Sequence, residues 1–262
     1  MDYVKILFER AGDVAIIRLN NPDVLNALDL QMSQELDHAL DEAVRSARAI
    51  VLTGAGRAFC AGANLSGGLG VQSDDGPPDT GAVLERYINP LMVKISRLPI
   101  PFVTAVRGAA AGVGCSLALC ADLIVASDTA YFLQAFARIG LVPDGGSSWL
   151  LMRAIGRPRA MEMMLLGERL PAAKALEWGL VNRIVADDEL DATVLDLATR
   201  LAAGPTRSLG LIREVAWTAA DQDWERALAT ECRLQREAGR TRDHQEGVAA
   251  FQEKRAARFT GT

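Results

Sequence analysis

The sequence predicts an α/β protein with a largely parallel sheet and crossover helices, and three observations carry that expectation. Apolar runs at 49–53, 101–106 and 123–126 have the length of buried strands. Small-residue loops and helix-period segments alternate with such runs, so strand–loop–helix units occur three times in succession. Beyond Ser147 the pattern is almost wholly helical.

Taken in order, residues 3–8 alternate and 14–19 are a β-branched run, with Ala11-Gly12-Asp13 as the turn of an opening hairpin. Asn20-Asn21-Pro22-Asp23 stops the second strand, and Asp29 can N-cap a helix with the stripe Met32, Leu36, Leu40, Ala43 and Val44. A strand at 49–53 leads into the loop 54–63. Residues 65–81 hold Gly, Asp, Ser and two prolines with almost nothing apolar, which predicts a mobile surface loop or lid. Residues 83–98 have helical period, 101–106 form a strand, 108–114 are small, and a helix over 112–120 precedes the strand at 123–126. Helices are expected over 147–155, 159–165, 171–178, 187–203, 206–220, 224–239 and 241–256.

The chain has 262 residues, half of them apolar, which suffices for a core without covalent staples. Its net charge of −5 argues against a general nucleic-acid surface. Four cysteines form no CxxC pair, and two histidines lie far apart, so zinc sites and Ser-His-Asp triads are poorly supplied. Met1 leads into Asp2 with no basic and apolar leader pattern, and no apolar run is long enough to span a bilayer. The expectation is a soluble cytoplasmic protein with no metal and no membrane contact.

Two Gly/Ala loops follow apolar strands: Phe59-Cys60-Ala61-Gly62-Ala63, and Gly108 through Gly114. Small residues let a backbone approach a ligand closely. The second loop also opens a helix, whose first N–H groups are unpaired. Two N–H groups aimed at one point make an oxyanion hole, worth about 3–4 kcal/mol per donor. The same composition also serves tight strand–helix packing, and composition alone leaves both readings open. Neither loop ends in the Lys-Ser/Thr of a P-loop, and the glycines of the second do not space as a dinucleotide fingerprint. A third feature is Asp144, a carboxylate before Gly145-Gly146 and a helix start, where a turn or capping role is the plain alternative.

In order and spacing, Phe59-Cys60-Ala61-Gly62-Ala63-Asn64-Leu65, Arg107-Gly108 through Cys115, and Ala121-Asp122-Leu123-Ile124-Val125-Ala126 resemble the enoyl-CoA hydratase/isomerase (crotonase) superfamily. So do Asn26-Ala27-Leu28, Ala175 through Val181, and Glu246-Gly247 with Phe251 through Arg255. The resemblance runs nearly end to end. It implies a spiral of ββα turns over 1–200, a helical trimerisation region over 201–262, and a homotrimer or dimer of trimers. It implies an acyl-CoA thioester substrate, with CoA as part of the substrate and no separate cofactor. The oxyanion donors map to the N–H groups of Ala63 and Val113. Val113 stands where the family usually has Gly, and Gly112 and Gly114 remain the neighbouring alternatives. The substrate surface would draw on Ala27, Ala61, Gly62, Asn64, Leu65, Gly112, Ser116 and Phe136. Phe132 and Leu133 are further candidates for the acyl wall, or simply core. Lys254 would meet the phosphate or adenine end of CoA from a neighbouring subunit, or be a solvated lysine.

Two glutamates that hydratases of this family use are here Ser116 and Phe136. Ser116 would at best orient a water, and Phe136 can only wall a pocket. What remains is Asp144, whose Pro-Asp setting resembles the isomerase branch, above all 1,2-epoxyphenylacetyl-CoA isomerases. The same position carries the nucleophile of 4-chlorobenzoyl-CoA dehalogenase, but residues 83–98 lack the histidine which that reaction needs. A hydratase with relocated catalytic groups and a non-catalytic CoA-binding trimer are the other readings.

Overall fold

The computed structural model describes residues 2–64, 71–73 and 76–262. Strands β1 (Ile6–Ala11) and β2 (Val14–Leu19) form the expected hairpin, with Ala11 opposite Val14 and Gly12 at φ +60° in the turn. Helix α1 (Leu30–Ser46) begins as expected, with the Asp29 carboxylate accepting from the Met32 N–H at 2.9 Å. Strand β3 (Ala49–Gly54) follows, buried throughout.

Residues 65–70 and 74–75 of the expected lid lie outside the described residues. Within that stretch Val71–Ser73 (β4) and Gly76–Asp79 (β5) pair antiparallel. A helical run then starts earlier than its periodicity suggests: α2 (Thr80–Val83), one π-helical turn (Leu84–Ile88) and α3 (Asn89–Ser96). Strands β6 (Phe102–Val106) and β7 (Ala109–Ala111) lead to α4 (Val113–Leu119), then to β8 (Leu123–Ser127) and β9 (Tyr131–Leu133).

The remainder holds α5 (Ser147–Ala154), α6 (Gly156–Leu166), β10 (Arg169–Pro171), α7 (Ala172–Glu177), β11 (Arg183–Val185), α8 (Leu190–Ala202), α9 (Thr206–Ala219), α10 (Trp224–Ala238) and α11 (Arg242–Gln252). The almost wholly helical reading of this part therefore missed two strands. Both have only three residues, too short for a period, and exist because older strands offer them an edge: β11 adds parallel to β8, β10 antiparallel to β9.

The main sheet has the order β1-β2-β3-β6-β8-β11 and is parallel except for the hairpin. Its strands read as unbroken apolar runs because both faces are covered. Ile50, Leu52, Phe102 and Val106 face the large core with α1, α3 and α4. Ala49, Val51, Val103, Ala105 and Val125 face the other way, onto Leu190, Val194, Leu197 and Ala198 of α8. A second, three-stranded sheet, β10-β9-β7, stands beside the site.

Helix α9 is fastened to this body by buried polar contacts. Arg213, 5% exposed, pairs with Asp122 at 2.6 Å and donates to the carbonyls of Ile95 at 3.0 Å and Leu98. Gly210 lies on Pro99 so tightly that a β-carbon would stand 2.1 Å from the Pro99 carbonyl oxygen. Trp217 of α9 stacks on Trp149 of α5, centroids 5.5 Å apart and planes 12° apart, with the Arg153 guanidinium 3.8 Å above Trp149. Among the described residues no helix is long and apolar enough to cross a membrane.

Candidate active site

The first Gly/Ala loop is held from both sides by backbone. Ala61 N–H donates to Leu25 O at 2.9 Å, Leu28 N–H to Gly62 O at 2.7 Å, and Asn64 N–H to Leu28 O at 2.9 Å. On its other side Cys60 N–H donates to Ala109 O, and Ala111 N–H to Cys60 O, each at 2.9 Å. Asn26, fully buried, donates to the carbonyls of Ala55 at 2.9 Å and Ala58 at 2.7 Å, which fixes where the loop leaves β3. Asn26-Ala27-Leu28 thus serves as a brace, with Ala27 buried within it.

The two loops touch at their glycines. Gly62 has φ +105°, and a β-carbon there would meet the Ala111 carbonyl oxygen at 3.0 Å. Gly112, the residue before α4, has φ +53°, and a β-carbon on it would lie 3.7 Å from Gly62 Cα. These are backbone positions that glycine fills without strain. The next residue after each, Ala63 and Val113, lines one cavity of about 720 Å³ together with Asp144. Among the described residues the N–H groups of Ala63 and Val113 donate to no protein acceptor.

Asp144 is half-buried, and its Oδ1 is buried with no hydrogen-bond partner among the described residues. Burial pushes its carboxyl up to about 6. Its main-chain carbonyl, by contrast, is well served. It accepts from the Ser116 hydroxyl at 2.9 Å, the Ser147 hydroxyl at 2.9 Å and the Ser147 N–H at 3.1 Å.

The expected residues therefore divide. Asn64, Ala63, Val113 and Asp144 share the cavity wall. Ser116 is fully buried behind it, its hydroxyl turned to the Asp144 carbonyl and so not placed to orient a water in the cavity. Phe136 is buried against the back of Gly112, with Cζ 3.7 Å from where a β-carbon would stand. Phe132 is wholly core. Ala61 and Gly62 contribute backbone, Leu65 lies outside the described residues, and Lys254 sits exposed beyond α11 at φ +56°.

Sequence reasoning missed much of the wall. Leu30 and Ser33 come from the start of α1, and Leu28 and Asp29 from the two positions before it, where Asp29 is paired with Lys5. Val83, Leu84, Arg86, Tyr87 and Ile88 come from the π-helical turn and the residue before it, with Leu141 and Val142 opposite. A π turn takes one more residue than an α turn, so the residues it aims inward break the period that would reveal them.

Two such N–H groups, of Ala63 and Val113, and a desolvated carboxylate on one cavity can polarise a carbonyl and accept a proton beside it. The family model for enoyl-CoA hydratase/isomerase matches residues 9–262. The chain belongs to that family. The enoyl-CoA hydratase/isomerase relatives include the 1,2-epoxyphenylacetyl-CoA isomerase of Escherichia coli K12, 42% identical over 95% of both chains. The trans-2-decenoyl-[acyl-carrier-protein] isomerase of Streptococcus mutans is 34% identical over the whole of both. A solved enoyl-CoA hydratase subunit I from Geobacillus kaustophilus HTA426 superposes with a TM-score of 0.91 at 37% identity, each chain fully covered. The fold is accordingly the crotonase fold of this family, as the sequence resemblance implied.

Proposed function

We propose that this family member isomerises acyl-CoA thioesters, moving a double bond or rearranging a ring epoxide, with Asp144 as the proton shuttle. The N–H groups of Ala63 and Val113 hold the thioester oxygen. As Asp144 takes the α-proton, the electron pair of the C–H bond moves toward that oxygen, and the donors stabilise the developing charge. The carboxylic acid then returns the same proton to another carbon, so no atom is gained or lost. CoA enters and leaves with the substrate, and no separate cofactor is required. Apolar walls at Leu28, Leu84, Ile88 and Leu141 suit an unsaturated chain or ring. The trimer or dimer of trimers expected for the C-terminal region 201–262, with Lys254 reaching a neighbour's CoA, belongs to the same proposal.

The observation that carries this reading is the carboxylate oxygen of Asp144, unpartnered among the described residues, on the same cavity as two N–H groups that no described residue accepts from. Neither Ser116 nor Phe136 carries a carboxyl group to serve as a second acid or base. The similarity to an isomerase at 42% identity supports it. The similarity to a solved hydratase favours hydration as the second reading. Mass spectrometry of enoyl- and aryl-CoA thioesters turned over in heavy-oxygen water separates the two. Isomerisation leaves the mass unchanged, and uptake of labelled oxygen overturns the proposal. Asp144→Asn keeps the shape but cannot accept a proton, and is expected to lose roughly 10²–10⁴-fold in kcat while still binding a non-reactive acyl-CoA.

A further inference from the structure

The Asp144 loop is tied at its ends, by the Leu141 N–H on the Phe136 carbonyl at 3.0 Å and by Ser147, and is glycine-rich between them. Gly145 and Gly146 follow with φ +56° and +79°, and Val142 before it is 80% exposed. Ser147, the buried first residue of α5, closes the turn onto the Asp144 carbonyl, its hydroxyl shared with Gln134 Oε1 at 3.2 Å. The Ser116 hydroxyl, on the same carbonyl at 2.9 Å, comes from a different element. Ser116 lies on α4, three positions after Val113, so the two residues share one rigid helical turn. The contact is close because Gly145 lacks a side chain: a β-carbon there would stand 2.8 Å from Ser116 Cβ and 3.1 Å from Met92 Cε.

We infer that Ser116 is a positioning residue, whose hydroxyl registers the Asp144 carboxylate against the Val113 N–H by tying the Asp144 loop to helix α4. The inference rests on the proposed role of Asp144 as proton shuttle. Ser116 does not line the cavity and reaches no substrate. Its effect is on distance: the base and the oxyanion donor are held to one helix, and proton transfer is steep in such distances. The same tie keeps the carboxylate against the apolar wall, so loosening it admits water.

That second consequence gives a readout independent of rate. Among the described residues the other ionisable groups on the cavity wall are Asp29, paired with Lys5, and Arg86 and Tyr87. On α4 the neighbouring Cys115 is a buried thiol held up to about 12, and on α5 Arg153 is engaged with Asp221 and Trp149. Burial is what raises the Asp144 carboxyl, so a change in its solvation shows directly in the acid limb of the pH–rate profile.

The test compares wild type, Ser116→Ala, Ser116→Cys and Asp144→Asn for turnover of a 3-enoyl-CoA across pH, with binding of a saturated acyl-CoA as control. Cysteine keeps the size of serine and weakens the donor, so it stands in if alanine impairs folding. Both Ser116 variants are expected to lose about 10- to 100-fold in kcat, the scale of a misplacement near 1 Å. KM should stay within about twofold, because Ser116 touches no substrate, and the acid limb of kcat/KM should move to lower pH as the carboxylate regains water. Wild-type kcat and an unmoved acid limb in both, alongside an inactive Asp144→Asn, overturn the positioning role and leave the shuttle intact. A fully active Asp144→Asn overturns the shuttle itself.

Discussion

Gly114 lies so close to Cys60 that a β-carbon added to it would stand 2.4 Å from the Cys60 carbonyl oxygen and 2.7 Å from Cys60 Cβ. Helix α4, which carries Val113, is therefore seated directly on the loop that carries Ala63. Gly114→Ala forces them apart, since a backbone carbonyl cannot swing aside as a side chain can. The expected cost is about 1–3 kcal/mol of stability, with a fall in kcat beyond what the loss of folded protein explains. Thermal melting and turnover on the same preparation check it, and an unchanged kcat in a destabilised protein would separate seating from catalysis.

The raised carboxyl of Asp144 has a stability consequence opposite to that of a paired acid. Its folded value, about 6, exceeds the ordinary 3.8. Between those values the folded protein binds more protons than the unfolded chain, so stability falls as pH rises through the window. Asp144→Asn is therefore expected to melt higher than wild type at neutral pH, by roughly 1–3 kcal/mol, and to match it near pH 4 and below. Equal melting at both pH values would mean that the carboxylate is well solvated.

Arg213 is expected to be among the most sensitive positions outside the site. Removing it leaves the Asp122 side chain, 24% exposed, without its cation, and desolvation already raises that carboxyl although Arg213 pulls it down. Arg213→Met should cost about 1–3 kcal/mol, the scale for leaving the buried carbonyls of Ile95 and Leu98 without a donor. Adding Asp122→Asn should recover part of that loss, because Asn can still accept from the Phe102 N–H that Asp122 serves at 2.8 Å. Urea midpoints of the single and double variants decide it.

For the assembly, the helices after α8 leave Ile212 at 59%, Leu228 at 44%, Val248 at 43% and Phe251 at 85% exposure within one chain. Leu211 and Trp217 are used inside the chain, Leu211 in its interior and Trp217 on Trp149. The remaining apolar surface is of the kind that marks an interface. Light scattering should give three or six times the 28.1 kDa chain mass, and a monomer at micromolar concentration would refute it.

What the sequence disclosed follows from what each residue answers to. Strands β3, β6 and β8 announce themselves because burial on both faces demands apolar residues at every position. Asp29 reads as a cap because its bond is local, to Met32. Asp144 is visible as a carboxylate in a turn of otherwise uncharged residues. The three alanines of β7 carry no strand propensity, and they are extended because Cys60 and the strand Tyr131–Leu133 hold them on either side. The tie between Ser116 and Asp144 gives no signal in sequence, since the partner is a main-chain carbonyl 28 residues away, and any residue at 144 would supply one.

The stacked pair of Trp149 and Trp217 gives the protein an optical property. Trp149 is five residues beyond Asp144, on the helix that the Asp144 loop begins, while Trp217 belongs to the C-terminal helices. Two indoles in parallel contact under a guanidinium share their excited state, so their emission depends on small changes in spacing. A ligand that tightens the loop would change the native fluorescence without any attached label. The other two tryptophans, Trp178 and Trp224, lie outside the stack, and Trp217→Phe would assign the signal to the pair. The same emission would register a disturbance of the C-terminal helices from the opposite side, making one chromophore pair a common readout of occupancy and assembly.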